Sequence, residues 1–307
     1  MGNDSPTIFQ RPLWVVVFAL TAAIAWGWAY PLIKLGFGEF AITADMTGSK
    51  MVFAGVRFTI SGLIILAIAR AAHRRFAVAG GSGWLYVVAF AIVNTTLHYA
   101  FFYFGLSHSP GARAAILNSM SVFLLVILAC MFFESDRLTS KKLLGCCVGI
   151  AGVVVLNFSN ADSTDGFSFS GDGMIILNAL CSAFAGLMTR GLSRRVDIFV
   201  GTGYSLAIGG VLLVVAGYVA DGTFGQVTAT GIVILLLLIA ISTVGFALYN
   251  KLLSCNPIGK VAIFNSLIPV VGAVTSCICL GETFYMKYVV AATLATAGIY
   301  IINRAKS

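Results

Sequence analysis

Apolar residues run along this chain in long blocks, separated by short polar stretches that carry most of the charge. A helix needs about 20 apolar residues to cross the hydrocarbon of a bilayer. About ten blocks approach that length, at residues 13–36, 51–71, 83–107, 111–133, 141–158, 171–192, 199–219, 230–253, 257–280 and 284–303. Blocks such as 232–240 are apolar on every face, whereas membrane β-strands alternate over roughly ten residues. The pattern predicts an all-α integral membrane protein with ten transmembrane helices. The connections are mostly short, so successive helices are expected to be antiparallel neighbours.

Composition sharpens this reading. Of 307 residues, 59% are apolar and 10% charged, against about 25% charged in an ordinary soluble domain. A water-soluble fold and a disordered chain are both excluded. The net charge of +8 does not point to nucleic acid, because Lys and Arg sit in short clusters between the blocks, as membrane flanks do. With the N-terminus in the cytoplasm, fourteen of the 19 Lys and Arg residues fall on that side; Lys34, Lys50, Arg57, Arg113 and Lys287 fall on the other. Residues 159–172 hold Asp162, Asp165 and Asp172 with no positive charge. Both termini are therefore expected in the cytoplasm, in a multi-pass protein of the cytoplasmic (inner) membrane. Residues 1–12 read as a short cytoplasmic tail, and the first block as a retained span. The seven cysteines form no C-x-x-C pair and lie mostly inside apolar blocks, so they read as packing residues.

The chain also repeats itself. Pro110 opens P-G-A-R-A-A-I-L-N-S, and 147 positions on Pro257 opens P-I-G-K-V-A-I-F-N-S. The match aligns Arg113 with Lys260, Asn118 with Asn265 and Ser119 with Ser266. Each copy leads to an acidic residue, Glu134 or Glu282, and then to a closing helix, G-I-A-G-V-V-V-L-N or A-T-A-G-I-Y-I-I-N. The expected organisation is a first repeat at 13–158, a linker at 159–170 outside the cytoplasm and a second repeat at 171–304. Five spans per repeat is an odd number, so the second repeat enters the membrane from the opposite side. Two inverted five-helix repeats can exchange conformations around a site between them near the midplane.

These stretches resemble the drug/metabolite transporter superfamily, EamA type. The first half carries A-W-G-W-A-Y-P-L-I-K-L-G, then R-F-T-I-S-G-L-I-I-L with a basic stop at His73, Arg74 and Arg75, then F-F-E-S-D-R-L-T-S-K-K-L-L-G. The second half carries L-G-E-T-F-Y-M-K. The resemblance covers about residues 13 to 304, and it rests on order, spacing and duplication. It implies a cavity lined by spans 1, 3, 4, 6, 8 and 9, with spans 5 and 10 at the periphery near a dimer contact. It also implies a small-molecule solute, from amino acids and sugars to choline-like cations and drugs. Residues 36–50, with Glu39 and Asp45, depart from the family as a longer first connection, expected as a short helix or lid on the outer face.

Polar groups inside hydrocarbon mark the candidate site. His98 lies mid-span with Asn94, Thr95 and Thr96 close by, and Asn94 and His98, four apart, would share a helix face. His98 is read as a solute or proton-coupling group, or as an interior histidine joining helices. Asn118 on the fourth span, Asn178 on the sixth and Asn265 on the ninth are read as pocket contacts. Trp26, Tyr30, Tyr99, Phe102, Phe246 and Tyr249 are read as an aromatic wall suited to a flat apolar or quaternary ammonium solute. Pro31 and Pro269 are read as kinks or hinges. A cation in the first turn opposes the helix dipole, so Arg113 and Lys260 should find a compensating partner or an anionic ligand, or else snorkel to the headgroups. Glu282 should pair with Lys287.

No Asp or Glu lies mid-span, so either His98 couples protons or transport is uncoupled or exchange-driven. No phosphate-binding loop, zinc motif or nucleophile triad is present, so neither enzyme nor ATP-driven pump is expected, and no cofactor or metal. The reading is a secondary transporter of a small amphipathic metabolite, an amino acid or related compound, exported by alternating access, as monomer or homodimer. An organic-cation carrier is the alternative, with a non-transporting scaffold or sensor behind it.

Overall fold

The computed structural model describes residues 7–132, 139–157, 166–256, 261 and 263–303. These are helical, with no strand among the described residues. Among the described residues ten principal helices follow one another: α1 Pro12–Glu39, α2 Thr47–Ala71, α3 Gly80–Ser107, α4 Gly111–Phe132, α5 Ser140–Asn157, α6 Phe169–Ser193, α7 Ile198–Val219, α8 Ala229–Cys255, α9 Leu267–Leu280 and α10 Met286–Asn303. Seven of them are long and apolar enough to span a membrane unaided.

The inverted repeat is visible in how helices pair. The repeat mates α2 and α7 cross backbone to backbone, with Gly48 on Gly217, Gly55 on Gly210 and Gly62 on Gly203. One series of numbers rises as the other falls, so the two mates run antiparallel. A Cβ on Gly55 would come within 2.7 Å of the Gly210 carbonyl, and one on Gly210 within 2.9 Å of the Gly55 carbonyl. Only glycine allows that approach, which is how helices associate where no hydrophobic force separates lipid from side chain. The mates α4 and α9 meet at Ala115 and Gly272, and α5 and α10 at Gly145 and Gly298, again antiparallel. The remaining principal contacts come in symmetric sets: α1 packs on α8 and α9, as α6 packs on α3 and α4.

The helix ends correct four expectations. First, α1 runs to Glu39 and α2 starts at Thr47, so the 36–50 segment contributes a seven-residue connection and no lid. Its Phe40 and Ile42 are buried in the core. Second, Lys50 and Arg57 do not flank the membrane: both lie inside α2, and both are buried. Third, α9 is not a continuous helix from 257. Its 14 residues span about 21 Å at 1.5 Å each, short of the hydrocarbon, and a 3-10 turn at Ile263–Ser266 precedes them. Fourth, Pro269 falls in the first turn of α9, where its missing N–H is not needed, while Pro31 does sit inside α1. The expectations for Glu134, Asp162, Asp165, Pro257 and Lys260 fall outside the described residues.

The core is one continuous cluster at the end holding the α1–α2 and α3–α4 connections, and through the middle. Towards the opposite end it divides. One branch holds Ala69, Val87, Phe90 and Leu192 from α2, α3 and α6. A second holds Val15, Ala19, Leu252 and Val261, mainly from α1 and α8, and a third holds Phe123, Cys146, Ile299 and Ile302 from α4, α5 and α10.

Candidate functional site

The undivided end is laced across the repeats. Glu282, in the α9–α10 connection, accepts the Gly111 amide at 2.7 Å and the Ala112 amide at 3.0 Å. These are otherwise unpaired N–H groups of the α4 first turn, and a carboxylate there suits the helix dipole. Lys34 of α1 completes the cluster at 3.2 Å from the same carboxylate, so Lys34 takes the role expected of Lys287. Arg113 is buried and finds its compensating partner in Asp172, at 2.6 Å, in the wide first turn of α6. Ser109 and the Ser168 amide also donate to that carboxylate. Ser49 donates to the Thr223 carbonyl at 2.6 Å, and Thr228 to Glu39.

The predicted site residues meet where the core begins to divide. Asn118 donates to the Tyr30 hydroxyl at 2.8 Å, and Asn178 donates to the Asn118 carbonyl at 2.6 Å. Across the pseudo-twofold, Asn265 donates to the Tyr249 hydroxyl at 2.6 Å. Both asparagines sit at breaks in their helices: α4 is interrupted at Ser119, and Asn265 lies in the turn before α9. Paired broken helices of this kind leave backbone and amide groups available at mid-membrane.

The aromatic residues named from the sequence lie against one another. Trp26 meets Tyr249 and Phe246 edge-on at 5.0 and 5.4 Å, and Tyr30 meets Phe102 at 5.4 Å. His98 stacks on Tyr99 at 4.4 Å, and Tyr99 lies 6.4 Å from Phe246. The Trp26 indole lies over Gly245, where a Cβ would come within 2.6 Å of Nε1. Trp26, His98, Asn118, Tyr249 and Asn265 are half-buried. Trp26 Nε1, His98 Nδ1 and Asn178 Oδ1 have no hydrogen-bond partner, though buried polar atoms are nearly always satisfied. A donor, an acceptor and an imidazole nitrogen are thus left unpaired around one aromatic patch.

Asn94 does not join them. A π turn at Ile92–Leu97 inserts an extra residue into the α3 spiral, so the four-residue spacing no longer puts Asn94 and His98 on one face. Asn94 instead donates to Ser205 of α7 at 3.1 Å, beside Thr95. It is an interhelical tie.

Sequence reasoning missed Arg57. Its Nε donates to Ser242 at 2.7 Å and to the Leu238 carbonyl at 3.1 Å, and its Nη1 to Tyr103 at 2.9 Å. The signal was present, since Arg57 lies inside the 51–71 block. A separate cleft of about 650 Å³ between α9 and α10, walled by Val270, Val274, Val289 and Ala297, touches none of the site residues.

The comparisons with known proteins agree with this architecture. A solved structure covers 94% of this chain and 94% of its own at a TM-score of 0.70 and 18% identity, which is a likeness of fold. A chloroplastic WAT1-related protein of Arabidopsis thaliana is 28% identical over 261 residues, 81% of this chain, and the match spans 62% of that protein's length. A probable amino-acid metabolite efflux pump of Salmonella typhimurium is 24% identical over 294 residues, 92% of each chain. The transporter YvbV of Bacillus subtilis is 26% identical over 285 residues, 91% of this chain and 88% of its own. The profile of the EamA-like transporter family matches residues 13–158 and 169–304. With ten helices in two inverted halves and that match over nearly its whole length, the chain belongs to the EamA-like transporter family.

Proposed function

We propose that this transporter exports a small amphipathic metabolite, an amino acid or a close relative, across the cytoplasmic membrane by alternating access. The observation that carries the reading is the cluster of buried and half-buried aromatic and amide groups that holds buried polar atoms without partners. A solute with one apolar and one polar part satisfies both components. The similarity to efflux pumps of amino-acid metabolites supports the same class. In this reading the repeats are 13–158 and 171–304, the termini are cytoplasmic, and the divided end faces the cytoplasm. The Glu282 and Asp172 clusters then close the outer end. The aromatic wall also suits a quaternary ammonium ion, which keeps an organic-cation carrier as the second reading.

Flux from proteoliposomes loaded with labelled amino acids or choline tests the proposal. Asn118→Leu removes the amide that links Tyr30 to Asn178, and is expected to cut flux about tenfold or more while the protein stays monodisperse in detergent. Unchanged flux would detach the amide chain from transport.

His98 is the proposed proton-coupling group. Substituting His98→Ala is expected to abolish any pH dependence of flux. A pH profile identical to that of the unaltered protein would remove His98 from coupling.

A further inference from the structure

Four cations enter the interior at the undivided end, and two of them have carboxylate partners: Lys34 with Glu282 and Arg113 with Asp172. Arg57 has none. It is 2% exposed and holds only neutral groups, the Leu238 carbonyl, Ser242 and Tyr103. The helices around it, α2, α3, α7 and α8, contain no Asp or Glu at all. A guanidinium keeps its charge under all physiological conditions, and a buried charge is ordinarily paired. Charged side chains inside a membrane that lack a counterion mark a solute or ion pathway.

The position fits that role. The Arg57 guanidinium lies 4.9 Å from the centre of the Phe58 ring. That ring stacks on Tyr99 at 3.9 Å, and Tyr99 belongs to the aromatic wall of the site. Tyr103, which accepts from Arg57, lies 6.0 Å from Phe102 in the same wall. Lys50, seven residues earlier and so two turns away on the same side of α2, is also buried and holds only Ala44 O and Ser107. Lys50 also has the Phe104 ring at 4.7 Å and Asp45 as an acid close enough to attract it, so Arg57 is the cation of this side of α2 that has no acid near it.

We propose that Arg57 is the carboxylate-reading residue of the transport site, and that the solute is an apolar compound bearing a carboxylate. This rests on the transport reading above and narrows it. The apolar part of the solute lies against Trp26, Tyr99 and Phe246, and its carboxylate supplies the counter-charge that Arg57 lacks. The arrangement disfavours a solute that is only a cation.

The test compares solutes that differ only in the carboxylate. Purified protein in nanodiscs is challenged with the standard amino acids, their amides, the matching amines and choline. Thermal shift reads binding, and counterflow in proteoliposomes reads transport. The amino acids that bind are expected to outbind their own amides and amines by roughly 30-fold or more, the scale of a buried charged partner. In Arg57→Gln the acid and its amide become equivalent, with the residual binding of the aromatic wall. Tyr103→Phe and Ser242→Ala keep the guanidinium and are expected to keep the preference, which guards against a failure of Arg57→Gln to fold. Equal handling of acid and amide by the unaltered protein, or a preference that survives in folded Arg57→Gln, overturns the assignment. Transport of choline alone overturns it and leaves a carrier. Failure of every compound to move overturns this assignment together with the proposed function.

Discussion

Replacing Asp172 by Ala is expected to destabilise the protein by about 3–5 kcal/mol, the cost of removing one partner from a buried ion pair. The pair has the geometry for the full effect: Arg113 and Asp172 are 2.6 Å apart, with side chains 5% and 2% exposed. The same carboxylate gathers Ser109 and the Ser168 amide, so one substitution loosens the start of α4, the start of α6 and the tie between repeats. Asp172→Asn retains hydrogen-bonding capacity and loses only the charge, so it should fall between the parent and Asp172→Ala. The readout is the melting temperature in a mild detergent. A fall of less than a few degrees for Asp172→Ala would show that the pair does not hold the two halves together. Glu282→Ala should cost less, because the Lys34 and Glu282 side chains are 24% and 15% exposed and solvent weakens such a pair.

The second large effect is expected at the α2–α7 crossing. Gly55→Leu places a branched side chain where even a Cβ would come within 2.6 Å of the Val214 backbone nitrogen and 2.7 Å of the Gly210 carbonyl. Backbone cannot swing aside as a side chain can, so the helices must separate. Overpacking on this scale costs about 3 kcal/mol or more and also discards the close contacts that hold the pair. The expected result is loss of the monodisperse peak in size-exclusion chromatography. Gly38→Ala, at a position with nothing within 4 Å, is the control and should behave like the parent. Normal yield and melting temperature for Gly55→Leu would mean that α2 and α7 do not pack as described.

The sequence exposes the parts of this structure that depend on local composition. Apolar blocks locate the helices, because spanning hydrocarbon demands length and apolarity, and the Asn118–Asn265 correspondence locates the repeat. Seven of the candidate residues, Trp26, Tyr30, His98, Tyr99, Phe102, Phe246 and Tyr249, come together because depth in a span and an inward face can both be read from spacing. Features that depend on a departure from the regular spiral are not readable in that way. The π turn that separates Asn94 from His98 and the break before α9 leave hydropathy unchanged. The surroundings of Arg57 are not readable in sequence because its partners, Tyr103 and Ser242, stand on two other helices, and only the folded chain shows that neither is an acid. The glycines at 48, 55 and 62 and at 203, 210 and 217 recur every seven residues. Their meaning depends on antiparallel pairing across the two halves, which no single window of sequence contains.

The pairing of α2 with α7, α4 with α9 and α5 with α10 has one more consequence. Each is an isologous contact, in which a surface meets its own counterpart turned around, as between subunits of a C2 dimer. The chain therefore has the geometry of two copies of one small protein, joined head to tail and facing opposite ways in the bilayer. In such an ancestor every favourable change on the α2 face would have acted at both sides of the seam at once. In this chain the two sides of the seam differ: α2 carries Lys50 and Arg57, α7 carries no Lys or Arg, and both halves supply residues to the aromatic wall.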